Sequence, residues 1–167
     1  YYVACEWSYY SQDIRRIFDT RSGGLAVYGG ILGAVLGTYI MCRIRKLPIS
    51  TVLDYCIIYI PLGQAIGRWG NFFNQEAFGA NTNKPWGMLS WKTAAFIDEH
   101  YDTLTDLDAY KPIHPCFLYE SLWCLVGFIL LHLYFKHRKF DGEIFIMYAG
   151  WYGLGRFFIE GLRTDSL

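Results

Sequence analysis

Apolar residues fall into four long runs with short polar stretches between them. The runs cover roughly residues 24–42, 51–68, 117–135 and 143–162. Each is about the 20 residues that a helix needs to cross a bilayer core at 1.5 Å per residue. The first is free of charge along its length. The second carries Asp54 and ends on Arg68, the third carries Glu120, and the fourth starts at Glu143 and carries Arg156 and Glu160. The first two are joined by Arg43-Ile44-Arg45-Lys46 and Pro48, the last two by Lys136-His137-Arg138-Lys139. Short basic loops of this kind stay in the cytoplasm. The stretch from Trp69 to Cys116 holds three lysines against six acidic residues and is expected outside. Two independent loops therefore agree on one topology. The pattern predicts an all-α fold, a polytopic transmembrane helical bundle with about four spanning helices and an outer loop over residues 69–116. The whole of 1–167 is expected to form a single membrane-embedded domain. The segment before the first run is also placed outside, where Trp7, Tyr9 and Tyr10 suit an interfacial belt.

Composition supports the membrane reading. Of the 167 residues, 53% are hydrophobic and 19% aromatic, and the mean hydropathy is +0.17. Charged residues reach 18%, below the roughly 25% of soluble domains. Fifteen Lys and Arg balance fifteen Asp and Glu, which argues against a protein that holds nucleic acid mainly by charge. The five cysteines show no paired spacing for a zinc or redox motif, and no second His or Cys sits at ligand spacing, so neither a metal nor another cofactor is expected. The chain opens on Tyr1-Tyr2-Val3 without Met or a charged n-region and is expected to be an excerpt of something longer.

Ionisable residues inside a span are expensive, so their depth is informative. Arg156 lies 13 residues into the fourth run, which is about 20 Å of rise. Arg68 lies 17 residues into the second, about 26 Å by the same rise. With the antiparallel topology, Tyr28, Gly29 and Gly30 of the first run fall at the same outer end, as do His114 and Glu120. Tyr152, Arg156 and Glu160 recur at i, i+4 and i+8, with Arg163 three further on, and so share one helical face. Gln64, Arg68 and Asn71 form a similar stripe, followed by Asn74. The run from Gly67 to Glu76 is too polar for lipid contact and too apolar for a plain loop, which points to a helix end lining a wet cavity. Two guanidinium groups at headgroup depth suit phosphate, which they grip through paired charge-assisted hydrogen bonds. The plainer alternative is that Arg68 and Arg156 snorkel, or pair with Glu76 and Glu160. Gly33 and Gly37 read as helix-packing positions, whereas Gly29 and Gly30 border the expected cavity.

The segment Gly67-Arg68-Trp69-Gly70-Asn71-Phe72-Phe73-Asn74-Gln75-Glu76, followed by Gly79, resembles the signature of the bacterial prolipoprotein diacylglyceryl transferases. Three further blocks are similar to that family in the same order: residues 23–30, His114-Pro115 with Leu118-Tyr119-Glu120, and Tyr152 through Arg156, Glu160 and Arg163. The resemblance implies a multi-pass enzyme of the bacterial inner membrane with its site toward the outer leaflet. It would move diacylglyceryl from phosphatidylglycerol to the lipobox cysteine of a prolipoprotein and release glycerol phosphate. Its partners would be that lipid, the lipobox peptide and the bilayer, with no nucleic acid. By position, Arg68 and Arg156 would contact the lipid phosphate, with Asn71, Glu76, Gly79, Tyr152 and Glu160 forming the rest of the site; Asn74, Gly29 and Gly30, which border the expected cavity, join the substrate-binding set. Tyr28, His114 and Glu160 are the candidates for the base that takes the thiol proton. Tyr28 stands where many members carry a histidine, and Cys116 where Ser or Thr is usual. Members have about seven spans, so helices on both sides are expected beyond this chain, and the 167 residues alone are expected to be inactive. The competing reading is a non-enzymatic module that binds or transports anionic lipid. Transporters place polar residues near the midplane, often on paired repeats, and no repeat is visible here.

Overall fold

In a computed structural model, residues 5, 7–13, 27–100, 102, 104 and 106–163 are described. The elements among them are helical: α1 (Trp7–Tyr10), α2 (Val27–Arg45), α3 (Ile49–Ile57), α4 (Ile60–Asn74), α5 (Trp91–Glu99), α6 (Cys116–Tyr134) and α7 (Glu143–Glu160). Only isolated bridges, and no strand, occur among the described residues. Among the described residues, two stretches, Ile49–Asn74 and Cys116–His137, are long and apolar enough to cross a membrane. The helix α2 has 19 residues, about 28 Å of rise. The helix α7 has 18 and carries three charged residues, Glu143, Arg156 and Glu160.

The chain divides into two compact units, 1–52 and 53–167. In the first, α2 ends in a left-handed Lys46 (φ 55°), and the Leu47 N–H donates to the Cys42 carbonyl at 2.9 Å. That closure satisfies an end carbonyl, and Pro48 prevents the helix from continuing.

The second unit is built on α4, α6 and α7. Pro61 opens α4 in its first turn, where its missing N–H costs nothing, so the second apolar run is a broken pair of helices. The run was expected to end near Arg68, yet α4 continues to Asn74 and stops only at a left-handed Gln75 (φ 59°). Ala77 is left-handed too (φ 60°). Non-glycine residues rarely adopt this region, and the turn is held by its surroundings. The Thr93 hydroxyl donates to the Gln75 carbonyl at 3.2 Å, and the Lys92 N–H donates to Gln75 Oε1 at 3.1 Å. Both donors sit at the start of α5, whose N-cap Ser90 accepts from the Thr93 N–H. The stretch between α4 and α6 thus carries its own small core of Phe78, Ile97, Leu107, Ala109 and Ile113.

Polar contacts tie the helices where the sequence left isolated charges. Ser121 of α6 donates to the Ala65 carbonyl of α4 at 2.8 Å. Trp123 and Trp151 stack at 4.4 Å, and each indole N–H donates to the other's carbonyl at 3.1 Å. Gly155 faces the Trp123 indole and Gly127 the Trp151 indole, each so closely that an added Cβ would overlap it. Outward, α6 and α7 show apolar side chains such as Leu133 (66% exposed) and Phe157 (77%), while Asp54 is fully buried. That inversion suits a lipid surround rather than water.

Asp54 is the charge that the second span had left unexplained. Its carboxylate accepts from the Gly142 N–H at 2.8 Å and the Phe145 N–H at 3.2 Å, capping α7 from 88 and 91 residues away. A carboxylate there also faces the positive end of the helix dipole. Asp54→Ala leaves two part-buried N–H donors at the start of α7 without their cap and is expected to cost about 1–2 kcal/mol. The check is the thermal midpoint of the full-length protein in detergent; an unchanged midpoint would refute the cap.

Candidate functional site

The site grows from three helix ends. Arg68 lies on α4 two turns before its end, Glu120 in the second turn of α6, and Arg156 and Glu160 in the last two turns of α7. Spacing of i, i+4 brings Arg156 Nη2 onto Glu160 Oε2. Arg68 Nη2 meets Glu120 Oε2 at 2.5 Å. The other oxygen of Glu120 lies 3.9 Å from Arg156 Nη1 and 4.0 Å from Arg163 Nη1. Glu120 is only 4% exposed, and its Oε1 has no hydrogen-bond partner among the described residues. A buried carboxylate is sustained by pairing, and here the pairs come from two helices and the turn after α7.

A cleft opens beside this group. Gln64, Arg68, Glu120, Trp123, Cys124, Tyr152, Gly155, Arg156 and Ile159 line it. Its enclosed space is only about 20 Å³, so a bound group would sit in its open mouth. Both cleft arginines are partly open, with side chains 25% and 35% exposed. Each guanidinium has five N–H donors, so pairing with one carboxylate leaves donors for an anion. The cleft therefore suits a small anionic group attached to an apolar body.

The sequence-derived residues separate into groups. Arg68, Tyr152 and Arg156 meet in the cleft, and Glu160 joins them through its ion pair. Asn71, Asn74 and Glu76 form a second cluster at the end of α4. Asn71 Nδ2 donates to Glu76 Oε1 at 2.8 Å and Asn74 Nδ2 to the same oxygen at 3.1 Å. The suggested pairing of Arg68 with Glu76 is corrected on this geometry, because amides occupy Glu76 and Glu120 takes Arg68.

His114 and Gly79 are not among the residues lining the cleft. His114 Nδ1 lies 2.7 Å from the Tyr119 hydroxyl, which accepts from Trp86 Nε1 at 2.8 Å. Indole can only donate, which leaves the phenol proton free to go to Nδ1 and favours the His114 tautomer protonated at Nε2. Gly79 is buried, its N–H donating to the His114 carbonyl at 2.9 Å, and it bridges to Arg163. Tyr28, Gly29 and Gly30 lie in the first turn of α2 in the first unit, and the Tyr28 side chain lies outside the described residues.

Glu120 lines the cleft but is not among the candidate site residues, although it is the lone charge of the third apolar run, lies at its outer end and belongs to a family-like block. Nearby, Asp108 anchors the stretch before α6. Its carboxyl is held below the ordinary range by the Tyr110 N–H, at 2.9 Å, and then by Lys111.

The family model for "Prolipoprotein diacylglyceryl transferase" matches residues 1–167. The chain is 46% identical over 167 residues to the phosphatidylglycerol–prolipoprotein diacylglyceryl transferase of Clostridioides difficile (strain 630), covering all of this chain and 60% of that protein. It is 48% identical over 168 residues to the protein of the same name from Finegoldia magna, again over all of this chain and 60% of the relative. The corresponding Clostridium novyi protein is 44% identical over 167 residues, covering all of this chain and 62% of its own length. The chain thus spans about three-fifths of the curated relatives it matches.

Proposed function

The chain belongs to the prolipoprotein diacylglyceryl transferase family, and from that premise we propose that it carries the phosphate-holding cleft of a transferase. The whole protein would move the diacylglyceryl group of phosphatidylglycerol to the thiol of a prolipoprotein lipobox cysteine. In that reaction the thiolate sulfur attacks the glycerol carbon that bears the phosphate ester. The new S–C bond forms as the C–O bond breaks, and glycerol phosphate leaves with the electron pair. The thiol proton goes to a base, for which Glu160, paired with Arg156 beside the cleft, is the candidate in this unit. The observation that carries the reading is the meeting of Arg68 and Arg156, from α4 and α7, on one open cleft around buried Glu120.

Each part has a task. Arg68 and Arg156 hold the phosphate and stabilise the charge that grows on the departing oxygen. Glu160 keeps the Arg156 guanidinium oriented through their ion pair. Tyr152 lines the same wall and orients the headgroup, while Glu76 with Asn71 and Asn74 receives the part of the substrate beyond the end of α4. The basic loops at 43–46 and 136–139 support a cytoplasmic-membrane orientation with the cleft toward the outer leaflet. The 167 residues then form part of a single membrane-embedded domain.

The experiment uses the full-length protein in vesicles of phosphatidylglycerol labelled in its acyl chains, with a lipobox peptide. Label appearing on the peptide thiol is the expected result. Binding of the lipid without transfer would overturn the enzyme reading in favour of a binding module.

A further inference from the structure

The central group of the cleft is an anion, which is the wrong sign for holding phosphate. Glu120 is 4% exposed and takes Arg68 on one oxygen at 2.5 Å. Its second oxygen makes no hydrogen bond among the described residues, yet stands 3.9 and 4.0 Å from the guanidiniums of Arg156 and Arg163. Those separations are beyond a hydrogen bond and well inside Coulomb range. A side chain that served only as a mechanical tie would be expected to use both oxygens. What this one delivers to Arg156 and Arg163 is charge.

We propose that Glu120 is a specificity-determining residue that lowers the positive charge of the arginine cleft, so that the cleft favours a singly charged phosphodiester over a doubly charged phosphomonoester. This rests on the transferase reading, in which the first is substrate and the second is product. A phosphodiester has one ionisable proton and carries a single negative charge. A phosphomonoester has a second pKa of about 6 and carries close to two negative charges at pH 7. Without Glu120 the three guanidiniums, offset only by Glu160 on Arg156, would attract the dianion more strongly and retain the leaving group. Coulomb energy scales with the charge of the ligand, so each unit of charge added to the cleft acts about twice as strongly on the dianion as on the monoanion. A cleft that must let glycerol phosphate go therefore gains from a fixed negative charge at its centre.

The test uses the full-length protein in phosphatidylglycerol vesicles with lipobox peptide, and compares wild type with Glu120→Gln, which keeps the shape and removes the charge. The readouts are the KM for phosphatidylglycerol and the concentration of added glycerol phosphate that halves the rate. For Glu120→Gln we expect the KM to fall about threefold and the half-inhibiting concentration about tenfold, the square relation that the charge ratio dictates. Arg163→Gln, which removes a cation from the same group, should raise the half-inhibiting concentration by a similar factor. If Glu120→Gln leaves glycerol phosphate inhibition within twofold of wild type, or shifts both ligands by one common factor, the proposal is overturned. Should Glu120→Gln fail to accumulate, Arg163→Gln decides alone, and unchanged inhibition overturns the proposal. A wild-type protein without transfer would instead sink the transferase reading. Equilibrium binding of glycerol phosphate to wild type and variants would then still read the charge effect.

Discussion

Lysine at position 68 or 156 is expected to lower the transfer rate proposed for the full-length protein by about a hundredfold or more at matched expression. The charge is kept, so a purely electrostatic role would be largely preserved. The planar fork is lost, however, and with it the ability to hold Glu120 or Glu160 on one edge and phosphate on another. Losing one charge-assisted hydrogen bond to a leaving group costs on the order of 2–4 kcal/mol, which converts to that rate factor. If the two arginines only snorkelled or formed exposed pairs, lysine would serve within about 1 kcal/mol. Arg43, exposed at the end of α2, is the control, and Arg43→Lys should change the rate little. Near-normal rates for Arg68→Lys and Arg156→Lys would leave the phosphate clamp without support.

Gly79→Ala is expected to be strongly damaging for a change of one methyl group. A Cβ at Gly79 would stand 2.5 Å from the Leu162 carbonyl oxygen, 2.9 Å from Cys116 Sγ and 3.2 Å from His114 Cβ. The nearest of these is backbone, and Cys116 is fully buried, so nothing flexible can yield. Overpacking of this kind costs about 1–3 kcal/mol. Relief would also push the chain after α7 away from residue 79, and Arg163, which bridges to Gly79, would move with it. The expected result is a lower thermal midpoint together with a loss of transfer of tenfold or more. Wild-type values for both would show that the close approach is not needed. The expected losses would show that the space Gly79 leaves open is required for the fold around the cleft.

Much of the helical layout follows from local order in the chain. Four apolar runs of bilayer length lie where α2, the α3–α4 pair, α6 and α7 are found. The Arg156–Glu160 pair was legible because i, i+4 spacing alone brings such side chains together. Other features had a partial local signature or none. The stripe of Gln64, Arg68, Asn71 and Asn74 signals that the helix continues past Arg68, but not that it stops at a left-handed Gln75, because that turn is held by residues 92 and 93. The stretch from 69 to 116 looked like turns, since its five buried core residues are scattered over 36 positions.

Partners were the hardest part to read. Asp54, Glu120 and Glu76 are each a single acidic residue in an apolar or mixed segment, and from sequence any of them is free to pair with an arginine. Tertiary packing assigned Asp54 to the backbone of α7, Glu76 to two amides and Glu120 to three guanidiniums. The Trp123–Trp151 pair became possible only because Gly127 and Gly155 let the indoles approach across the helix interface. Hydrophobic periodicity acts over a few turns and specifies that helices form and which stretches are apolar. Which buried carboxylate meets which donor depends on desolvation and on distances of a few ångströms between segments far apart in the chain, and those exist only once the helices have packed.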